Sequence, residues 1–318
     1  CIGRARELAP LIEAHAARIE QEREIVPEVL AALYDARLFR MLVPKSCDGW
    51  EADPATFMQA IEELAKADGS TAWCVAQASG CSVAAAYVEP GVAREIFGRA
   101  DAVMAWGPVG PNAKAVAVDG GYRASGSWSF ASGIKHAHWL GCHCPVVEPD
   151  GSPRLAPDGK PAERTVLIPK ASARINDIWR VVGLKGTGSD NYTIDDLFVP
   201  DEYTFTREAA ADRREAGPLY RFTTFHLYGI GFAAIALGLG RASLDAFIAL
   251  AATKVPKTKT FVLRDNAVVQ SQVALAEAKL ASSRAFLLQT LHEMWDTAAR
   301  GQSLALTQRA MLKLAGTY

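Results

Sequence analysis

The chain has 318 residues, 50% hydrophobic and 22% charged, and its 34 basic and 35 acidic side chains give a formal net charge of −1. This balance is typical of a globular protein with a sizeable core, and it lacks the basic excess of a nucleic-acid-binding protein. The longest apolar run, residues 227–240, is shorter than a bilayer-spanning helix. It therefore predicts a buried core helix and no membrane partner. Six scattered cysteines without a C-x-x-C pair indicate reduced thiols and a cytoplasmic protein.

Residues 1–100 have the pattern of a helical domain. Apolar residues recur at helical spacing from Leu8, and Pro27 is placed to open a second amphipathic helix. Asp53 followed by Pro54 predicts the N-cap and first residue of a third helix. The sequence begins with Cys1 rather than Met, so we expect the natural chain to start earlier.

Residues 101–205 change to the alternation of β-strands. Gly, Pro and Asp separate the apolar runs, as in a small antiparallel β-barrel or sandwich. Asp119-Gly120 predicts a tight hairpin turn, and the charged, proline-rich stretch 148–163 predicts an exposed hairpin loop. The predicted strands are 103–105, 113–118, 122–130, 138–147, 165–169, 178–182 and 192–199.

One strand, within residues 122–133, has an unusual composition. Alternation predicts Trp128 and Phe130 on one face, with Ser127, Ser129 and Ala131 on the other. Aromatic rings opposite hydroxyls and small residues suit a flat, partly polar ligand. The alternative is an ordinary half-buried hairpin.

Residues 206–318 return to helix and predict an antiparallel helical bundle. Long helices are expected over 224–253 and 265–299, and a third begins near residue 303. That helix is still running at Tyr318, so we expect further chain beyond it.

The predicted order of a helical domain, a β-domain and long antiparallel helices resembles the layout of the acyl-CoA dehydrogenase superfamily. Several sequence motifs also resemble those of the superfamily, and they occur in the same order. These are 62–65 with 68–73, then 183–189 with 198–200, then 263–265 with Gln270 and 275–277. Within the superfamily, residues 126–133 and 105–111 are most similar to the flavin-dependent monooxygenase branch. That branch consists of oxygenase components that receive reduced flavin from a separate reductase.

The resemblance implies reduced FMN or FAD as cofactor, O2 and a small aromatic or related molecule as substrates, a flavin reductase as partner, and a homotetramer. One alternative is an acyl-CoA dehydrogenase, and another is a non-catalytic flavin-binding or structural relative. A dehydrogenase needs a carboxylate base, yet no Asp or Glu lies between Glu215 and Asp245 on the first helix that would carry it. The base of the monooxygenase branch is a histidine, expected beyond Tyr318.

The resemblance also implies roles for particular residues. Ser132 is the candidate catalytic hydroxyl facing flavin N5, although it could instead be a turn hydroxyl satisfying the backbone at Gly133. Arg264 is the candidate for binding flavin phosphate, in its own subunit or in a neighbouring one, and its alternative is a surface ion pair with Asp265. The residues expected to line the ring are Trp106, Gly107, Phe130 and Ala131.

Two further patterns favour structural roles. A closed zinc shell usually needs four ligands, so a strand with polar and thiol positions explains the His and Cys cluster better than a metal site. Residues 183–189 do not fit the dinucleotide fingerprint. They predict a turn between strands, with contact to flavin or substrate as a further expectation. The cluster comprises His136, His138, Cys142, His143 and Cys144.

Overall fold

Five helices precede the first strand. The computed structural model describes residues 1–257 and 260–317, and the α3–α4 pair forms the centre of this N-terminal part. Their apolar faces are buried from Pro54 through Ser82. The helices are α1 (Ile2–Glu22), α2 (Pro27–Asp35), α3 (Pro54–Ala67), α4 (Gly69–Ser82) and α5 (Pro90–Phe97).

Side-chain caps set the ends of these helices. Asp53 Oδ1 accepts a hydrogen bond from the Thr56 amide at 2.9 Å, which confirms the predicted cap of α3. Asp68 does the same for α4 through the Thr71 amide, at 2.7 Å. Because Asp68 both ends α3 and caps α4, the two helices meet at a corner, and α4 is directed towards the sheet.

The β-domain is a mixed, open sheet. Its order is β6-β7-β3-β2-β4-β5-β8, with β1 against β4, and the β2–β4 and β1–β4 pairs are parallel. The predicted antiparallel barrel or sandwich is therefore wrong in detail, since no pairing among the described residues joins β6 to β8. The strands are β1 (Met104–Trp106), β2 (Lys114–Val118), β3 (Gly121–Ala131), β4 (Trp139–Val147), β5 (Glu163–Pro169), β6 (Arg174–Asn176), β7 (Asp190–Pro200) and β8 (Thr204–Phe205).

The connection between β3 and β4 explains the parallel pairs. The predicted turn at Asp119-Gly120 is confirmed, and it makes β2 and β3 antiparallel neighbours. Residues 132–138 then carry the chain across to the far side of β2, so β4 pairs with β2 instead of β3. Alternation in a sequence identifies a strand, but it does not specify which neighbour the strand pairs with.

The predicted strand 178–182 is also wrong. The strand in this region is β6, which ends at Asn176, and residues 178–182 belong to no strand. Asp190 Oδ1 accepts hydrogen bonds from the amides of Ile178 and Trp179, both at 2.9 Å. A side chain thus satisfies the donors that a neighbouring strand would otherwise bind.

In the described part of the chain, three α-helices follow the sheet: α6 (Thr224–Thr253), α7 (Ala267–Ala299) and α8 (Leu306–Thr317). The helix predicted over 224–253 is confirmed. It packs on α3 so closely that a Cβ at Gly238 would lie 2.6 Å from the Glu62 carbonyl oxygen. Arg284 of α7 also reaches α3, where its Nε lies 2.9 Å from both Glu62 carboxylate oxygens.

The prediction of a buried core helix over 227–240 is correct for one face only. Ile230 and Ala234 are completely buried, whereas Phe232 is 43% exposed and Leu239 is 39% exposed. By length and composition alone, α6 is long and apolar enough to cross a bilayer, and 28% of its most apolar window is buried in the protein.

Candidate functional site

A cleft of about 630 Å³ opens between α4, α6 and the sheet. Its walls are predominantly aromatic, which suits a flat apolar ring and excludes water. α4 and α6 provide one wall, and β1, β3 and the segment before β7 provide the other. The aromatic residues that enclose it include Trp73, Trp106, Phe130, Trp179, Phe225 and Phe232.

A bulge in β3 directs Phe130 into this cleft. The pairing of β3 with β7 shifts register between Trp128 and Ala131, and Phe130 has a φ of 62°, in the left-handed region. Trp128 is fully buried and donates from Nε1 to the His143 carbonyl at 3.0 Å, whereas Phe130 is 60% exposed. The prediction that these two aromatics share a face is therefore wrong. Bulges and strained dihedrals are concentrated at functional sites, where they change the direction of side chains.

Ser132, immediately beyond this bulge, belongs to a chain of hydroxyl groups. Trp73 Nε1 donates to Ser132 Oγ at 2.9 Å, and Ser132 Oγ lies 2.7 Å from Ser189 Oγ. Ser189 Oγ is in turn 2.7 Å from Thr187 Oγ1, which donates to the Leu184 carbonyl at 2.8 Å. Three separate segments of the chain therefore converge on the Ser132 hydroxyl.

The donor and the acceptor of each hydrogen bond in this series of hydroxyl groups follow from the groups at its two ends. A carbonyl oxygen can only accept, so the Thr187 proton is used on Leu184 and Thr187 must accept the Ser189 proton. Ser189 must then accept the Ser132 proton. Ser132 already accepts from Trp73, so it has one lone pair free and no proton to offer. Ser132 is thereby configured as a hydrogen-bond acceptor towards a ligand.

Four of the five residues predicted to contact the ring line the cleft, namely Trp106, Gly107, Phe130 and Ser132. A Cβ at Gly107 would lie 1.9 Å from the Ser129 carbonyl oxygen, so this close approach requires glycine. Ala131 is fully buried and does not line the cleft.

Arg264 lies apart from the cleft of its own chain. It precedes α7 with its side chain 66% exposed, and its Nε is 3.8 Å from the Asp265 carboxylate. This contact corresponds to the surface ion pair considered as its alternative. Its proposed role towards flavin therefore depends on a second copy of the chain.

The predicted turn at 183–189 contributes Leu184, Thr187 and Ser189 to the cleft. Leu184 and Gly188 have φ of 54° and 47°, so the turn is compact. The Thr187 carbonyl accepts from the Gly133 amide at 2.8 Å, which joins the turn to the end of β3. That amide is thus satisfied by Thr187 and not by the Ser132 hydroxyl.

His143 was missed as a cleft residue. On β4, its Nδ1 lies 2.8 Å from Thr165 Oγ1, while its buried Nε2 has no hydrogen-bond partner among the described residues. Burial and the nearby Arg207 guanidinium lower the pKa of His143 to about 3, so the ring is neutral at physiological pH. Trp106 packs edge-on against it, with 4.9 Å between ring centroids.

The cluster of histidines and cysteines is dispersed by the fold. Cys142 and Cys144 are completely buried in β4, and His136 packs against Gly133. Over residues 1–257 and 260–317, no group of three or more His, Cys, Asp and Glu side chains is placed to hold a metal ion.

The cleft fits a reduced flavin in chemical terms. An isoalloxazine ring is flat and apolar on both faces, matching the aromatic walls, and the reduced ring carries an N–H at N5 that needs an acceptor. The free lone pair of Ser132 supplies one. None of the described residues that line the cleft is a carboxylate, so this part of the chain offers no base for the α-proton of a thioester.

Comparison with known proteins agrees with this chemistry. The family model described as "Acyl-CoA dehydrogenase, N-terminal domain" matches residues 5–91, and "Acyl-CoA dehydrogenase, C-terminal domain" matches residues 230–318. XiaF from Streptomyces sp., solved with FADH2 and glycerol, superimposes with a TM-score of 0.89 over 99% of this chain and 79% of its own. At 22% identity, that likeness establishes an acyl-CoA dehydrogenase-like fold.

Sequence relatives identify the branch. The indole-3-acetate monooxygenase of Pseudomonas putida is 30% identical over 306 residues, covering 96% of this chain and 76% of that protein. The oxygenase subunit HsaA of the flavin-dependent monooxygenase of Rhodococcus jostii (strain RHA1) is 29% identical over 248 residues, covering 76% of this chain and 63% of that protein. The chain belongs to the acyl-CoA dehydrogenase superfamily, in its flavin-dependent monooxygenase branch.

Two buried imidazoles predict how stability changes with pH. Burial lowers the pKa of both His136 and His143 from 6.5 to about 3. Below pH 6.5 the unfolded chain therefore binds protons that the folded chain does not, and stability falls as the pH falls towards 3. Each imidazole should lower the free energy of unfolding by about 2 kcal/mol at pH 5.

Urea unfolding of wild type and His143→Gln at pH 7, 6 and 5 measures this effect. The variant should lose less stability than wild type between pH 7 and 5, by about 2 kcal/mol. His136→Gln provides an independent repeat. Equal pH dependence in all three proteins would contradict the assignment.

Proposed function

We propose that this chain is the oxygenase component of a two-component flavin-dependent monooxygenase. It would take reduced FMN or FAD from a separate reductase and use O2 to hydroxylate an aromatic or related small molecule. The observation that carries the proposal is the free acceptor lone pair of Ser132 inside an aromatic cleft. Six free cysteines, five of them buried, support a cytoplasmic setting.

When bound, reduced flavin activates dioxygen for transfer of one oxygen atom to an electron-rich substrate. Ser132 Oγ would accept a hydrogen bond from N5–H of the reduced flavin. Trp106, Gly107 and Phe130 would hold the ring in the cleft.

Exclusion of water is the second contribution of the chain. Trp73 and Phe232 stack with 4.8 Å between centroids and an interplanar angle of 12°, and they form an apolar wall of the cleft between α4 and α6. A dry site strengthens each hydrogen bond within it and suppresses the loss of activated oxygen to solvent. The same stack fixes the Trp73 ring whose N–H orients Ser132.

Replacing Ser132 with alanine should uncouple oxygen use from hydroxylation. The variant loses the acceptor for N5, so more of the oxygen should be released as hydrogen peroxide. The ratio of hydroxylated product to peroxide should fall about tenfold, equivalent to one hydrogen bond of about 1.4 kcal/mol. Product by chromatography and peroxide by a coupled assay give this ratio.

Ser127→Ala is the matched control, because it removes a hydroxyl from the same strand. Ser127 Oγ accepts from Asn191 Nδ2 and does not line the cleft. Its product-to-peroxide ratio should stay at the wild-type value. If Ser132→Ala also keeps that ratio, Ser132 has no role at N5.

The active form would be a homotetramer in which Arg264 of a neighbouring copy holds the flavin phosphate. Apolar side chains on α6 and α7 support an assembly, because they are solvent-exposed in the single chain. These include Phe247 at 38%, Ile248 at 42%, Leu250 at 52%, Val268 at 68% and Leu275 at 53%.

Sedimentation velocity and flavin titration test this assembly together. The wild-type protein should sediment as a tetramer, and Arg264→Gln should stay tetrameric while its Kd for reduced FMN rises about tenfold. Arg174→Gln, on an exposed edge strand, is the control and should bind reduced FMN like wild type. A monomer, or unchanged affinity in Arg264→Gln, would contradict the role of Arg264.

A further inference from the structure

The aromatic cleft has one polar end. A second chamber of about 220 Å³ lies next to that end, and the two spaces share His143, Arg207 and Phe225 in their walls. The rest of the chamber wall is largely polar, unlike that of the main cleft. A ligand whose ring fills the cleft would therefore present one substituent to this end.

Arg207 is the one formally charged side chain among the described residues that line the main cleft. Its guanidinium lies 5.3 Å from the centroid of the Phe225 ring, and it makes no ion pair within the described part of the chain. Arginine presents several donors in a planar fork, which matches a carboxylate. A half-buried guanidinium that faces a cavity and has no carboxylate partner is thus available to an anionic ligand.

Of the other charged groups around the chamber, two are bound to other residues of the protein and one is exposed to solvent. Arg164 lies 3.0 Å from the Asp212 carboxylate. Glu208 Oε1 accepts from the Thr224 amide at 2.8 Å, at the start of α6. Glu163 also borders the chamber, but it is solvent-exposed. Arg207 is therefore the cation left for a ligand in this region.

We propose that Arg207 recognises a carboxylate on the aromatic substrate, so that the preferred substrates are aryl or heteroaryl acids. The Arg207 guanidinium neutralises the carboxylate and donates hydrogen bonds to it from its planar fork. The substrate ring then lies between the aromatic walls, at a fixed distance from the polar end. Arg207 acts in substrate specificity, and this inference rests on the proposed function of the same cleft.

The same anion chemistry could come from the phosphate of the flavin. The two sources differ in what Arg207 should affect. If Arg207 serves the substrate, its loss weakens binding of an aryl acid and leaves reduced FMN binding unchanged. If Arg207 serves the flavin phosphate, its loss weakens binding of reduced FMN and leaves binding of the aryl acid unchanged.

The test compares indole-3-acetate with its neutral isostere indole-3-acetamide, titrated calorimetrically into the full chain without flavin and with reduced FMN under anaerobic conditions. Wild type should bind the acid at least about tenfold more tightly than the amide. Arg207→Gln should raise the Kd of the acid about 10- to 100-fold and that of the amide less than about threefold. Arg207→Lys should recover part of the loss, and Arg174→Gln should match wild type.

Equal affinity of wild type for acid and amide, failure to bind either, or a Kd change confined to reduced FMN would overturn the proposal. Circular dichroism of each variant checks that it is folded.

Failure of this inference is distinguishable from failure of the proposed function. If reduced FMN binds and a neutral aromatic is hydroxylated, but the acid is not preferred, the monooxygenase function stands and the carboxylate site falls. If the acid is preferred through Arg207 but reduced flavin does not bind, the site stands and the monooxygenase function falls.

Discussion

The structure depends on one hydrogen-bonded chain, which runs from the Trp73 indole through Ser132, Ser189 and Thr187 to the Leu184 carbonyl. Its two ends fix every proton, because an indole N–H only donates and a carbonyl only accepts. A serine in water can rotate its hydroxyl to donate or accept. Here Ser132 is restricted to accepting, before any ligand arrives, and that preorganisation is what a reduced flavin requires.

The groups in this hydrogen-bonded series come from different elements of the fold. Asp68 caps α4 and so places Trp73 over the sheet, while the bulge at Phe130 brings Ser132 to the rim of β3. The compact turn before β7 supplies Ser189. A shift of any one element would break the chain, so the junction between the helical and β parts is where the site is most sensitive.

Much of this organisation could be predicted from the sequence, because helices and strands leave local periodic patterns. The caps at Asp53 and the turn at Asp119-Gly120 depend on neighbouring residues, and both were predicted correctly. Motifs in the order of the family likewise identified Trp106, Gly107, Phe130 and Ser132 as residues of one region, and the structure gathers them along the cleft. Their individual roles towards flavin stay predictions.

The remainder depends on contacts between distant segments. Trp73 is 59 residues from Ser132, and Ser189 is 57 residues from it, so no local pattern relates them. The parallel pairing of β4 and the bulge at Phe130 were missed for the same reason, since alternation indicates neither partner nor register. Arg207 carries no motif, and only the structure shows that it lines a cavity without an ion-pair partner among the described residues.

The central claim is that Ser132 accepts the N5 hydrogen of a reduced flavin lying in the aromatic cleft. An anaerobic crystal structure of the protein with reduced FMN tests it most directly. The account predicts the ring between the aromatic walls, with N5 about 3 Å from Ser132 Oγ. A ring bound elsewhere, or an N5 more than about 4 Å from that oxygen, would contradict it.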